Sequence, residues 1–329
     1  MILLLGGVTA AYKPDAPVIG VLTYPGAPSL LDGCVGAAPC SALQLAVQKE
    51  SAYVESSYAR WLQMAGARVV PIDYDLKPAM VRQLFSKLNG VLFTGGPAKP
   101  LEAPKPYFAT ATLLYGLVFE AWKQGDFVPL WGTCLGLQTI SCIAAGGRDV
   151  LGDFPLENYA YPLDFSPHAA GSRLFGGMSA SLRHDFEQNV TTNWHHYGVG
   201  PDALPAALQP LATNRALNGA TFVSALEGRD GLPVFATQFH PESVQWNGGS
   251  TDGVPARSAA AVRTVQYLAN FFVDLARNNS HAFGSAREEA LALISQQGRL
   301  QFDEGPAGGD LYPEGAYLFP KGAGGGVEA

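Results

Sequence analysis

Short apolar runs bounded by glycine or proline alternate, over the first half of the chain, with stretches whose apolar residues recur every three or four positions. Val18-Ile19-Gly20-Val21-Leu22-Thr23, after Pro14 and Pro17, has the length and β-branched content of a buried strand, and a long loop is predicted from Pro25 to Cys40. Ala52 to Met64 carries Tyr53, Val54, Tyr58, Trp61 and Leu62 at helical spacing, and Gly66 is placed to end that helix. Arg68 to Ile72 reads as strand, Pro78 to Leu88 as helix, Gly90 to Thr94 as strand, Tyr107 to Lys123 as helix and Val128 to Trp131 as strand. Such alternation predicts an α/β fold, a mostly parallel sheet with helices on both faces.

Beyond Gly147 the pattern changes to shorter strands. Thr221 to Leu226 and Val234 to Phe239, joined through Gly228-Arg229-Asp230-Gly231, predict a hairpin. Ala259 to Asn278 then returns to helical spacing, with Val262, Val265, Leu268, Phe271, Phe272 and Leu275 on one face. From Gly305 the chain is Gly-rich and weakly patterned, which predicts a loosely held tail. The division that follows is a signal-like segment at 1–16, one α/β domain at 17–280, and a C-terminal helix with a Gly-rich tail at 281–329.

Composition narrows the classes of partner. With 329 residues, 47% of them hydrophobic, the chain can bury a sizeable core; 15% charged residues, 38 Gly and 24 Pro predict many loops. A net charge of -7 without any Lys/Arg cluster argues against nucleic acid, whose phosphates are bound largely through basic side chains. The apolar start from Met1 to Ala11 is too short to span a bilayer. It fits a secretory signal or a disordered terminus; the sequons Asn189-Val190-Thr191 and Asn278-Asn279-Ser280 agree with the first. Cys34 and Cys40, six apart in a loop, are either a disulfide or two free thiols. Cys134 and Cys142, eight apart on a helical stretch, lie beyond disulfide reach of each other. No set of His, Cys and Asp has metal-ligand spacing, so neither a metal nor a cofactor is expected.

The chemistry centres on Gly132-Thr133-Cys134-Leu135-Gly136, between the Val128–Trp131 strand and an apolar helix from Leu137 to Ala145. A strand that turns sharply into a helix crowds the residue at the turn, so the positions two before and two after must be small, and both are glycine. A thiol at that turn faces the helix N-terminus, whose partial positive charge favours a nucleophilic thiolate. An ordinary buried cysteine also fits this pattern taken alone. A base is offered by Gln238-Phe239-His240-Pro241-Glu242: in extended chain, residues i and i+2 share a face, so the Glu242 carboxylate can orient the His240 imidazole. Thr94-Gly95-Gly96-Pro97, after a buried strand, supplies glycines whose N–H groups can approach an oxyanion.

Taken in this order, the three motifs resemble the class I glutamine amidotransferase-like superfamily and, within it, the γ-glutamyl hydrolases. Ala65-Gly66-Ala67-Arg68-Val69-Val70-Pro71, Asn89-Gly90-Val91-Leu92-Phe93, Tyr161-Pro162-Leu163-Asp164-Phe165, Ser172-Arg173-Leu174-Phe175 and Tyr267-Leu268-Ala269-Asn270-Phe271-Phe272-Val273 carry the likeness from about Pro17 to about Asn279; Trp131-Gly132-Thr133-Cys134-Leu135-Gly136 is its most specific part. The resemblance implies a flavodoxin-like three-layer fold, Cys134 as nucleophile, His240 as acid/base, Glu242 as orienting carboxylate, and the Gly96 and Leu135 N–H groups as oxyanion hole. In Asn193-Trp194-His195-His196-Tyr197 it places His195 in the substrate cleft, where a histidine could donate a hydrogen bond to the substrate carboxylate or become charged beside it, especially in an acidic compartment. It implies cleavage of γ-glutamyl bonds of folylpoly-γ-glutamates through a thioester, and a homodimer is compatible with it; the apolar start, the two sequons and the Cys34/Cys40 pair predict secretory traffic to a vacuole, a lysosome or the exterior. Leu137-Gln138 and Gln238-Phe239 are spelled more like glutamine amidotransferases, whose glutaminase activity is the alternative, with a silent binding module of the same fold as the third reading.

Overall fold

The structure, a computed structural model, describes residues 16–26, 51–244, 256–296, 299–300 and 315–320. The signal-like start, Cys34, Cys40 and most of the Gly-rich tail lie outside the described residues. Five strands form the parallel half of an eight-stranded sheet: β1 (Val18–Leu22), β4 (Arg68–Ile72), β5 (Gly90–Phe93), β6 (Leu130–Thr133) and β12 (Val234–Thr237), ordered β4-β1-β5-β6-β12. Their apolar runs are buried on both faces, as a helix-covered parallel sheet requires. The antiparallel strands β11 (Thr221–Gly228), β10 (Leu208–Arg215) and β8 (Asp164–Phe165) continue it. The expected hairpin is present as β11 and β12. On one face α1 (Ser56–Met64) packs on α6 (Ala259–Arg277), where the Trp61 indole N–H donates to Val265 O at 3.1 Å. Elsewhere α3 (Lys105–Lys123) packs between α2 (Pro78–Phe85) and α4 (Leu135–Ala144). Among the described residues no helix is long and apolar enough to cross a membrane.

Four expectations are corrected. Residues Ser51–Glu55 are not the start of a helix but strand β3, which pairs with β2 (Tyr24–Pro25) and with β14 (Ala316–Pro320). Tyr53 and Val54 favour strand once partners are present, and those partners are remote in sequence. The stretch Ala316–Pro320 is correspondingly held, not loose. Beyond Gly147 the longest strands of the chain appear, β7 (Leu151–Tyr161) and β9 (Thr191–Val199), paired antiparallel as a separate ribbon. Register shifts between Asp153 and Leu156 and between Glu157 and Tyr159 break the two-residue period that would have revealed them. On α6, Val262 is 40% exposed, outside the buried face of Ala261, Val265, Leu268 and Phe272. The expected C-terminal helix is α7 (Ala286–Ala292), tied to the sheet by ion pairs of Glu289 with Arg68 and of Glu288 with Lys87.

Candidate active site

Cys134 separates β6 from α4 with φ 51° and ψ -105°, a left-handed backbone that a side-chain-bearing residue adopts at a cost. Its N–H donates to Thr237 O at 2.8 Å, which pins the turn to β12. The flanking glycines have no room for anything larger. A Cβ on Gly132 would stand 2.7 Å from the carbonyl carbon of Gly136, and one on Gly136 would stand 2.3 Å from Phe93 O. The chain thus crosses itself at backbone contact to push the thiol out at the C-terminal end of the parallel strands.

At the end of β12, the His240 N–H donates to Thr192 O at 2.8 Å, and its Nδ1 lies 2.7 Å from Glu242 Oε1. Both side chains are buried. Burial opposes the imidazolium, but the Glu242 carboxylate and then Cys134 together outweigh it, so the His240 pKa lies well above its ordinary value. Nε2 makes no well-formed hydrogen bond among the described residues, with Cys134 interacting with the ring, and the Trp194 ring covers the imidazole at 5.5 Å between centroids. The Gly95-Gly96 loop closes the site. A Cβ on Gly95 would lie 2.7 Å from the Tyr58 hydroxyl, 2.9 Å from His240 Cε1 and 3.6 Å from Cys134 Cβ. The Gly95 N–H donates to the Tyr58 hydroxyl at 2.7 Å. Gly96 packs against Leu135, and the Leu135 N–H, in the first turn of α4, has no intrahelical carbonyl to donate to.

These motifs stand where the sequence places them relative to one another. The family model described as glutamine amidotransferase class-I matches residues 51–251. Gamma-glutamyl hydrolase B of Dictyostelium discoideum is 34% identical over 284 residues, 84% of this chain and 76% of that protein. The gamma-glutamyl hydrolase of Homo sapiens is 34% identical over 251 residues, 74% of this chain and 77% of that one. The chain belongs to the gamma-glutamyl hydrolase family of class-I glutamine amidotransferases. The probable gamma-glutamyl hydrolase 3 of Arabidopsis thaliana, 30% identical over 84% of this chain and 78% of its own, extends the likeness to plants.

For a member of the gamma-glutamyl hydrolase family, the two histidines on β9 are placed very differently. His195 is 4% exposed with its ring edge-on to Phe222 at 4.8 Å, and neither ring nitrogen has a well-formed hydrogen bond among the described residues. The side chain of His196 is 51% exposed, with Nε2 2.9 Å from Asp153 Oδ1. Of the two states open to His195, the neutral hydrogen-bonding one is favoured: burial, and then nearby His240, push its pKa down to about 3. Sequence reasoning missed three buried side chains around the site. Tyr58 was read only as part of a buried helical face. Gln138 and Gln238 were noted as departures in spelling, yet Gln138 Nε2 donates to Tyr197 O at 2.8 Å, tying α4 to β9, and Gln238 Nε2 donates to Cys134 Sγ at 3.5 Å. An amide side chain directly after a buried strand and two residues before His240 is the signal that could have found Gln238.

Proposed function

We propose that this chain is a cysteine-type γ-glutamyl hydrolase acting on folylpoly-γ-glutamates. What carries the reading is the His240 imidazole, its Nε2 without a well-formed hydrogen bond, beside a thiol held at a positive φ, with Nδ1 fixed by Glu242 at 2.7 Å. In this mechanism the proton rests on the His240 imidazole, as its raised pKa favours, and the Cys134 thiolate attacks the γ-carbonyl, while the N–H groups of Gly96 and Leu135 receive the oxyanion. His240 gives the proton to the departing α-amine as the C–N bond breaks, leaving a γ-glutamyl thioester. A water then loses its proton to the same Nε2, adds to the thioester and releases the acid and the thiolate. His195 serves the substrate cleft as a neutral hydrogen-bonding group. Names of relatives support γ-glutamyl chemistry.

Free glutamine, a γ-linked diglutamyl peptide and its α-linked isomer separate the readings. Turnover of the γ-linked peptide alone is expected; turnover confined to glutamine would instead select a glutaminase, and none on any substrate a binding module. We further propose traffic to a vacuole, a lysosome or the exterior. Both sequon asparagines, Asn189 and Asn278, are exposed, as glycosylation requires. Glycosidase treatment of protein from its host is expected to increase its mobility. A homodimer is proposed on family likeness, and sedimentation at micromolar concentration checks it.

A further inference from the structure

Gln238 has no role in the mechanism above, yet it is fully buried at the end of β12 and its carboxamide touches the reacting sulfur. The Cys134 sulfur has two polar neighbours besides His240. Its Sγ lies 3.9 Å from Trp194 O and accepts from Gln238 Nε2 at 3.5 Å. Gln238 Oε1 is buried without a partner, near Gly198, so the amide is held from its nitrogen end. Burying a polar atom unpaired is unfavourable, and such a group is retained where its other end does something. We propose that Gln238 is a positioning residue for the nucleophile: its side-chain N–H steers the Cys134 sulfur and binds it more strongly as thiolate than as thiol. The inference rests on Cys134 being the nucleophile.

The asymmetry follows from the chemistry of each state. In the thiolate form the sulfur has no hydrogen to offer the Trp194 carbonyl, which is then an unfavourable neighbour of the anion. The Gln238 N–H becomes a charge-assisted donor, a bond about twice as strong as a neutral one. In the thioester the sulfur is neutral again and that gain is absent. When water displaces the sulfur and the C–S bond breaks, the departing thiolate is received by the same N–H. Gln238 therefore assists both the attack and the later departure. The titratable groups that interact with the sulfur are His240 after β12, Tyr58 on α1 and Tyr107 on α3, with Glu242 and His195 interacting in turn with His240. None of these is altered by changing Gln238.

Gln238→Met keeps the volume and deletes the donor; Gln238→Glu keeps the shape and replaces the donor with a carboxyl oxygen. The full chain carrying each change is alkylated with iodoacetamide across pH, with Cys134 modification followed by mass spectrometry and peptide turnover in parallel. Gln238→Met is expected to lower kcat/KM by ~10- to 100-fold. Its alkylation profile should move to higher pH by about one unit, a displacement that loss of packing alone does not produce. Gln238→Glu should behave alike at neutral pH and recover part of its activity at the acid end, where a protonated carboxyl donates again. Should the methionine variant not fold, as judged by circular dichroism, the glutamate variant decides alone. Alkylation profiles that overlay the native one, or an activity loss equal at every pH, overturn the role of Gln238. If alkylated Cys134 retains turnover, it is the nucleophile assignment that fails, whatever the Gln238 profiles show.

Discussion

At the scale of single residues the site separates two histidines by what surrounds them. His240 has a carboxylate at 2.7 Å and a pKa above its ordinary value; His195 has Phe222 and burial, and a pKa of about 3. The unfolded chain accepts a proton on His195 near pH 6.5 that the folded chain refuses. This contribution therefore leaves stability intact above about 6.5 and erodes it as pH falls, by about 1 kcal/mol per unit. His240 acts oppositely: its contribution is complete below about 6.5 and is lost as pH rises through its folded value. His195→Asn should accordingly flatten the fall in urea midpoint between pH 7 and pH 5, and an unchanged slope would show that His195 is not buried as described. The same variant should lower kcat/KM on γ-linked peptides by ~10- to 1000-fold, by an equal factor at pH 5 and pH 7 because the ring stays neutral, while His196→Asn, exposed, should be mild. Cys134→Ala should leave the fold intact and turnover below ~1% of native; measurable residual turnover removes it from the nucleophile role.

Between elements, the site is made by contacts too close for side chains. Gly136→Ala would set a Cβ 2.3 Å from Phe93 O, forcing α4 away from β5, with an expected loss of about 3 kcal/mol in chemical denaturation. Gly95→Ala meets the Tyr58 hydroxyl and the His240 ring instead, on the rim of the site. Its melting temperature should change little and its kcat fall at least ~100-fold; the opposite ranking of the two variants would mean that the loop, not the elbow, supports the sheet. These contacts also show why parts of the molecule were legible beforehand. The elbow is written in adjacent letters, because strand, nucleophile and helix follow one another and the glycines must flank the turn. The His240-to-Glu242 link is likewise local. By contrast Tyr58, 37 residues from the Gly95 N–H it accepts, looks like any aromatic on a helix face. The burial of His195 depends on Phe222 from another strand, which no spacing on β9 could indicate.

For the whole molecule, the parallel half of the sheet was readable because each buried strand is a continuous apolar run followed by its own covering helix. The ribbon of β7 and β9 and the pairing of β3 were not, since irregular register and partners more than 200 residues away set them. That last pairing reaches further than the rim of the fold. β3 is gripped on one side by β2 and on the other by β14, and it runs without a break into α1, whose Tyr58 hydroxyl receives the Gly95 N–H. The strand at residues 316–320 thus sits one covalent and two hydrogen-bonded steps from the loop over the thiol. A fused tag, a protease nick or a foreign strand competing for the edge at residues 316–320 would act as a remote hand on that loop, so the handling of this terminus, which no catalytic motif touches, belongs among the variables that set how fast the site turns over.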